Sequence, residues 1–369
     1  MNHPLKTWLL VVLALLAGGA SGPPSAGIDR LSLPNSLHAV PGHAGLYRSE
    51  DGGTTWEPIG LGSLGVSALA IDPVNPSTLY AGTEAGGVFK STDWGNTWTA
   101  RSVGLMSLSI NALGINQSAP SMLLAATSRG LFNSSDGGAS WSAVGPKLPS
   151  PVFRSVVIDP VVPTTQYAAD AVWVAKSVNG GETWTYSTVG GDYVTSLAVN
   201  SATPSTLYAG VFHAAPRGGG VYKSVDGGVK WSFVSGNVIS PTGRYYDVIS
   251  LAIDPSETSV VYAGTSGGGV YRSADSGATW TAANAGLGGV SVSALAIDPI
   301  SPSRIYSATD GQGIFKSTDS GRTWTVMTAG FGIHLPAALA IDPADPARIY
   351  AGLRGAGPDA AAAKIARGR

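Results

Sequence analysis

An all-β chain folded as a seven-bladed β-propeller, each blade a four-stranded antiparallel sheet, is predicted by three features of the sequence. The first is an eight-residue phrase, Ser-x-Asp-x-Gly-x-Thr-Trp, clearest at 317–324 and present seven times, with the other copies starting at Ser49, Ser91, Ser134, Ser177, Ser224 and Ser273. Its acidic position falls at Asp51, Asp93, Asp136, Asn179, Asp226, Asp275 and Asp319, at intervals of 42 to 49 residues, a period that marks a stacked repeat architecture. The second is a pair of short apolar runs that also recur seven times, matching the phrase. The third is composition: 50 Gly and 24 Pro with only 12% charged residues, the mix expected of many short strands joined by tight turns.

Taken in order, the chain opens with Lys6 ahead of an apolar run from Trp8 to Ala17, followed by the small residues Gly18, Gly19 and Ala20. Ten apolar residues are too few to span a bilayer, and the pattern reads as an export signal. Residues 1–26 are therefore expected to hold a signal peptide and the start of a linker, with the mature chain beginning between Ala20 and Ala26 and exported, either secreted or periplasmic. Residues 27–42 read as linker, 43–354 as the propeller, and 355–369 as a C-terminal tail.

One full unit shows how a blade is built. Val66 to Pro73 supplies a first strand and an Asp-Pro turn, Ser77 to Gly82 a second strand, Gly87 to Lys90 a third. The phrase then makes the next turn. A short carboxylate or amide accepts hydrogen bonds from backbone N–H groups just ahead of it, Gly tolerates positive φ, and the Trp opens a fourth strand and wedges into the core. Asn179, Ser140 and Lys230 depart from the consensus; Asn keeps the turn-forming carbonyl, so that copy is expected to turn as well. The chain enters at a third strand (Gly45 to Arg48) and ends with a first and second strand near Leu353. One half-blade from each terminus makes one whole blade, which closes the ring and removes its edges.

In such a meander the Asp-Pro turns and the phrase turns share one face, and the variable connections share the other. Most Asp residues are thereby assigned to structure, whereas Asp170, Asp192, Asp247 and Asp310 fall on the variable face outside any repeated position. Arg129, Arg154, Arg217, Arg244, Trp173, Tyr193, Tyr245 and Tyr246 join them as candidate ligand-binding groups. Arg154, Tyr193 and Asp247 are expected near the top of the innermost strands, and loops on a rigid scaffold are where binding groups concentrate.

The repeated phrase resembles that of the Asp-box (BNR repeat) propellers, a set that includes sialidases, xyloglucanases, sortilin-type receptors and photosystem II assembly factors. The resemblance covers roughly residues 43 to 353. It implies that Asp51, Asp93, Asp136, Asn179, Asp226, Asp275 and Asp319 are structural, because the boxes of that family lie at the blade periphery away from the ligand. Sialidase-like action would imply six blades and an Arg-Ile-Pro motif near the start, and xyloglucanase-like action two propellers. This chain counts seven blades in one ring, nearest to the single seven-bladed exported members.

Other chemistries find little to stand on. Net charge is −1 and cysteine is absent, so nothing attracts nucleic acid or an anionic membrane electrostatically, and disulfides, thiolate metal sites and cysteine nucleophiles are excluded. His43, His213 and His334 lack ligand spacing, no alternating oxygen series suggests calcium, and Gly218-Gly219-Gly220 and Gly267-Gly268-Gly269 precede no helix or Lys-Ser/Thr. No metal or cofactor is expected. The function expected is a non-catalytic, monomeric binding or scaffold propeller that recognises a glycan or protein on its variable face. The alternative is a glycoside hydrolase drawing its acid and base from Asp170, Asp192, Asp247 or Asp310, a pair of which would have to stand roughly 5 to 10 Å apart across the sugar.

Overall fold

The computed structural model describes residues 44–145, 152–170, 172–190, 193–212, 219–238, 243–327 and 335–355. Within them lie 28 strands in seven four-stranded antiparallel sheets and no helix. The expected signal, linker and residues 356–369 of the tail lie outside the described residues, and so do His43, Asp192, His213, Arg217 and His334.

Each sheet is a meander. Blade 1 runs Val66–Ile71, Leu79–Thr83, Val88–Ser91 and Thr99–Ala100, with the strands side by side in sequence order. Blades 2 to 6 begin at Ile110–Ile115, Ser155–Ile158, Tyr193–Val199, Val248–Ile253 and Val292–Ile297. Blade 7 is assembled from both ends: Pro336–Ile341 and Ile349–Leu353 supply its first two strands, Gly45–Ser49 and Glu57–Pro58 the others. Gly45–Ser49 pairs with Ile349–Leu353 over five residue pairs, from Gly45 opposite Leu353 to Ser49 opposite Ile349. The seven first strands touch in succession, and that of blade 7 touches that of blade 1, so the ring closes.

Burial peaks at the second strand of each blade, the inner first strands being only partly covered. The second strands are buried almost throughout, the fourth strands largely exposed. Second strands are Ala- and Gly-rich because neighbouring sheets stack tightly on them: a Cβ on Gly82 would lie 2.5 Å from Ile110 Cγ2, and one on Gly264 would lie 2.5 Å from Val292 Cγ1. Six blades carry a β-bulge in the first strand. There Ser67, Thr195 and Ser293 hydrogen-bond both to their own second strand and to the next blade's first strand.

The phrase behaves as a turn and a rivet. In all seven copies the leading Ser hydroxyl accepts from the Gly N–H and donates to the Asp or Asn Oδ1, at 2.7–2.9 Å. The same Oδ1 accepts the N–H of the residue before Trp. In five copies the Thr or Ser hydroxyl also donates to the Asp Oδ2, at 2.6–2.7 Å. Asn179 keeps the turn, donating from its amide to Thr183 Oγ1 at 3.0 Å. The residue after the acid always has positive φ, which suits Gly in four copies and is imposed on Trp94, Ser276 and Ser320 in the others.

Joints between blades repeat as well. The second-strand Tyr and third-strand cation of one blade reach the carbonyl of that positive-φ residue in the next: Tyr208 and Lys223 donate to Ser276, Tyr306 and Lys316 to Gly52, Tyr350 and Arg48 to Trp94. Returning the contact, the indole N–H of Trp98, Trp141, Trp280 and Trp324 donates to a carbonyl of the preceding blade. The seven Asp-Pro or equivalent turns are capped alike, with Asp72, Asn116, Asp159, Asn200, Asp254, Asp298 and Asp342 each accepting two backbone N–H groups through Oδ1.

Candidate functional site

The two faces of the ring differ in how their polar groups are committed. On the box face the acids are occupied by their own turns. Hydrogen bonds from Thr97, Ser140, Thr279 and Thr323, hydroxyl first and backbone second, hold the carboxyls of Asp93, Asp136, Asp275 and Asp319 at about 2. At Asp51 burial pushes the other way, but the bonds from Thr55 and Ser49 outweigh it, again to about 2. Carboxylates so satisfied are poor proton donors at neutral pH.

The variable face is carried by the starts of first and third strands and the ends of second and fourth strands. Arg154, Tyr193 and Asp247 stand at this end of three consecutive inner strands, those of blades 3, 4 and 5. Tyr193 is the first residue of its strand and pairs in register with Phe212, the last residue of the second strand. Their rings meet edge to face, with centroids 6.3 Å apart and planes at 69°. Although in contact, the two remain 44% and 41% exposed. Two aromatic rings held this open on rigid strand ends make a platform rather than a piece of core. Arg154 is exposed one blade away, its backbone N–H fixed on the Ala169 carbonyl at 2.8 Å.

The other candidates divide by environment. Asp170 is 1% exposed, and its Oδ1 accepts the N–H groups of Val172 and Trp173 at 2.8 and 2.7 Å, capping the hairpin between second and third strands. Tyr186 nearby has its hydroxyl pKa raised, first by burial and then by the Asp170 charge. Asp247 is half-buried; its Oδ1 accepts from Gly219 N–H at 2.9 Å and its carbonyl from Ser266 N–H. Gly219 permits that approach, since a Cβ there would lie 1.9 Å from the Val211 carbonyl oxygen. Trp173 is half-buried opposite Thr188. Tyr245 packs on Phe233, which packs on Tyr222, and Tyr246 packs on Tyr271. Arg129, Arg244 and Asp310 are exposed on hairpins or loops of blade 2, the blade 4 to 5 connection and blade 6.

The structure thus brings Tyr193 to Phe212 and sets Arg154 and Asp247 on the flanking strands, whereas Arg129 and Asp310 stand on other blades. Phe212 is the functional candidate that sequence reasoning overlooked. The pairing register was the available signal: once Val199 opposes Leu207, counting back around the bulge puts Phe212 opposite Tyr193. Glu84 accepts from the Gly355 backbone N–H at 3.2 Å and so helps hold the end of blade 7. Among the described residues no three His, Asp or Glu side chains gather to hold a metal ion, and no helix is long and apolar enough to cross a membrane.

Residues 268–359 match the Sortilin-Vps10 family model, described as sortilin, neurotensin receptor 3. No curated protein matches the chain. Among solved structures it is similar to a GH74 enzyme from Niastella koreensis, at 23% identity and a TM-score of 0.62, over 79% of this chain and 52% of that one. It is similar to the GH74 xyloglucanase from Xanthomonas campestris at 18% identity and a TM-score of 0.65, over 82% of this chain and 52% of that one. A third, YCF48 bound to D1 peptide, gives 15% identity and a TM-score of 0.59, over 79% of this chain and 93% of that one. The chain spans about half the length of the GH74 structures. At these identities the likeness establishes the propeller fold.

Proposed function

We propose that this protein is an exported binding propeller that holds a peptide or glycan segment across blades 3 to 5 of its variable face without turning it over. The observation that carries the reading is the open Tyr193–Phe212 pair, an apolar platform kept out of the core on two rigid strand ends. Arg154 and Asp247 on the neighbouring inner strands supply charge of each sign beside it. Export is supported by the apolar run from Trp8 to Ala17. The structurally similar YCF48, which is bound to D1 peptide, supports a peptide as one of the ligand classes.

Catalysis is the weaker reading because the described candidate acids do not stand as a matched pair. Asp170 and Asp247 each hold a backbone turn through Oδ1, and exposed Asp310 belongs to blade 6, whereas a glycosidase needs two carboxyls facing one sugar. The test pairs retention with turnover. The whole chain is screened against peptide and glycan arrays and incubated with xyloglucan, with reducing ends measured. Retention of one ligand class without new reducing ends, lost in Tyr193→Ala and Phe212→Ala, is the expected result. Release of reducing ends that disappears in Asp247→Asn would replace this reading with the glycoside hydrolase one.

A further inference from the structure

The joint between blades 5 and 6 departs from a rule that five of the other six follow. At five joints the third-strand side chain Arg48, Lys90, Asn133, Lys223 or Lys316 donates to the carbonyl that follows the next blade's box acid. Arg272 occupies the same position in blade 5 but does not reach it. Its Nε donates to the Tyr262 hydroxyl at 3.3 Å, and that hydroxyl makes the bond to the Ser320 carbonyl at 3.2 Å. The guanidinium lies over the Tyr262 ring, 5.9 Å from its centroid. Its terminal nitrogens have no hydrogen-bond partner among the described residues.

Arg272 borders a cleft of about 560 Å³ on the box side, between the outer strand of blade 5 and the box of blade 6. That volume is within the range of small-molecule sites. Arg322, Ser303 and Ser320 also line it, and Arg322 is exposed. The acid in the wall, Asp319, is already satisfied: Oδ1 accepts from Ser317 and the Thr323 N–H, Oδ2 from the Thr323 hydroxyl. Ser320 adds a hydroxyl at a φ of 61°, where four of the seven boxes use Gly. What the cleft offers is therefore a surplus of donors, two of them guanidinium forks suited to paired oxygens.

We propose that this cleft is an oxyanion site, in which Arg272 and Arg322 clamp the carboxylate or phosphate group of a small ligand and the Ser303 and Ser320 hydroxyls assist. It lies on the face opposite the Tyr193–Phe212 platform and does not depend on the reading given for that platform.

Calorimetric titration of the full chain with inorganic phosphate, citrate and neutral glucose tests it. Saturable binding of phosphate or citrate and none of glucose is expected; whichever anion binds more tightly identifies the ligand as a phosphate or a carboxylate. Arg272→Lys installs the residue that blades 1, 3, 4 and 6 already carry at this position, so the fold accommodates it, yet it removes the fork; affinity should fall about tenfold. Arg322→Gln, at an exposed position, should cost a similar factor, and Tyr193→Ala should cost none. Absence of binding by both anions, or unchanged affinity in Arg322→Gln, would overturn the proposal.

Discussion

Lys316 Nζ lies 2.7 Å from the carbonyl oxygen of Gly52, although 264 residues separate the two in sequence. Tyr306 places its hydroxyl 3.0 Å from the same oxygen. Lys223 and Tyr208 do the same to Ser276 within the body of the ring, at 2.9 and 3.0 Å. The seam where the two ends of the chain meet is thus built from the same contact as the interior joints. Lys316→Met should then cost what Lys223→Met costs, about 1 kcal/mol, the net worth of one hydrogen bond. Equilibrium urea unfolding of both variants measures this; a loss several times larger at Lys316 would mean that the closure joint is not equivalent to the others.

Arg348 carries a further load at that seam. Its Nε meets Glu50 at 3.0 Å, and its NH1 meets Asp342, whose side chain is 1% exposed, at 2.9 Å. The guanidinium also lies over the Trp94 ring of the next blade, 5.6 Å from its centroid. Replacing it with Met leaves the Asp342 carboxylate buried without its cation, a loss of about 3 kcal/mol. Because most of that loss is the stranded charge, Arg348→Met/Asp342→Asn should recover more than half of it. Chemical denaturation of the single and double variants decides; a double variant as unstable as the single one would place the cost in the Trp94 and Glu50 contacts instead.

How much of this was legible in the sequence depends on whether the information was local. The boxes and the Asp-Pro turns are each written within a dozen residues of chain, the split seventh blade follows from counting them to both ends, and the structure shows each where the repeat put it. The joints were not legible. Nothing in Tyr306 or Lys316 names Gly52 as partner, since that contact needs the ring to close first. The bulges at Ser67, Thr195 and Ser293 escaped for the same reason, their partners lying on the next blade. On the variable face, position along a strand end could be read, so Arg154, Tyr193 and Asp247 were placed on consecutive inner strands. Burial could not: Asp170 looks like a free loop acid in sequence, yet it caps a hairpin.

Stability should have a plateau bounded by the boxes on the acid side and the joint tyrosines on the alkaline side. Asp51, Asp93, Asp136, Asp275 and Asp319 fall from an ordinary 3.8 to about 2 in the folded ring. The native state therefore binds protons less readily than the unfolded chain. Their contribution is complete above about pH 4 and drains away as pH falls toward 2. Burial pushes the hydroxyls of Tyr80, Tyr167 and Tyr306 from 10.0 up to about 12. That contribution is whole below pH 10 and is lost as pH rises through 12. Tm measured across this range should be flat between the two limits, and Asp319→Asn should make the acid limb shallower. A midpoint of acid loss near pH 6 would assign it to other groups.

Blade 4 offers an internal control on the box itself. Its acid, Asp226, accepts from Ser224 and from the Val229 and Lys230 N–H groups, but Lys230 stands where five other boxes have a Thr or Ser hydroxyl bonded to Oδ2. Its pKa is still lowered, first by the Lys230 N–H and then by Ser224, without the hydroxyl that comes first at Asp93 or Asp275. Lys230→Thr supplies the missing donor in a geometry the chain already uses elsewhere. Tm should rise, and the Asp226 carboxyl, followed by NMR titration, should move down toward the value of about 2 held by Asp275. Asp319→Ala, which removes three partners including a hydroxyl on Oδ2, should lower Tm more than Asp226→Ala. If Lys230→Thr leaves both the titration and Tm where they were, the hydroxyl bond adds nothing, and the boxes hold their turns through the Ser and backbone contacts alone.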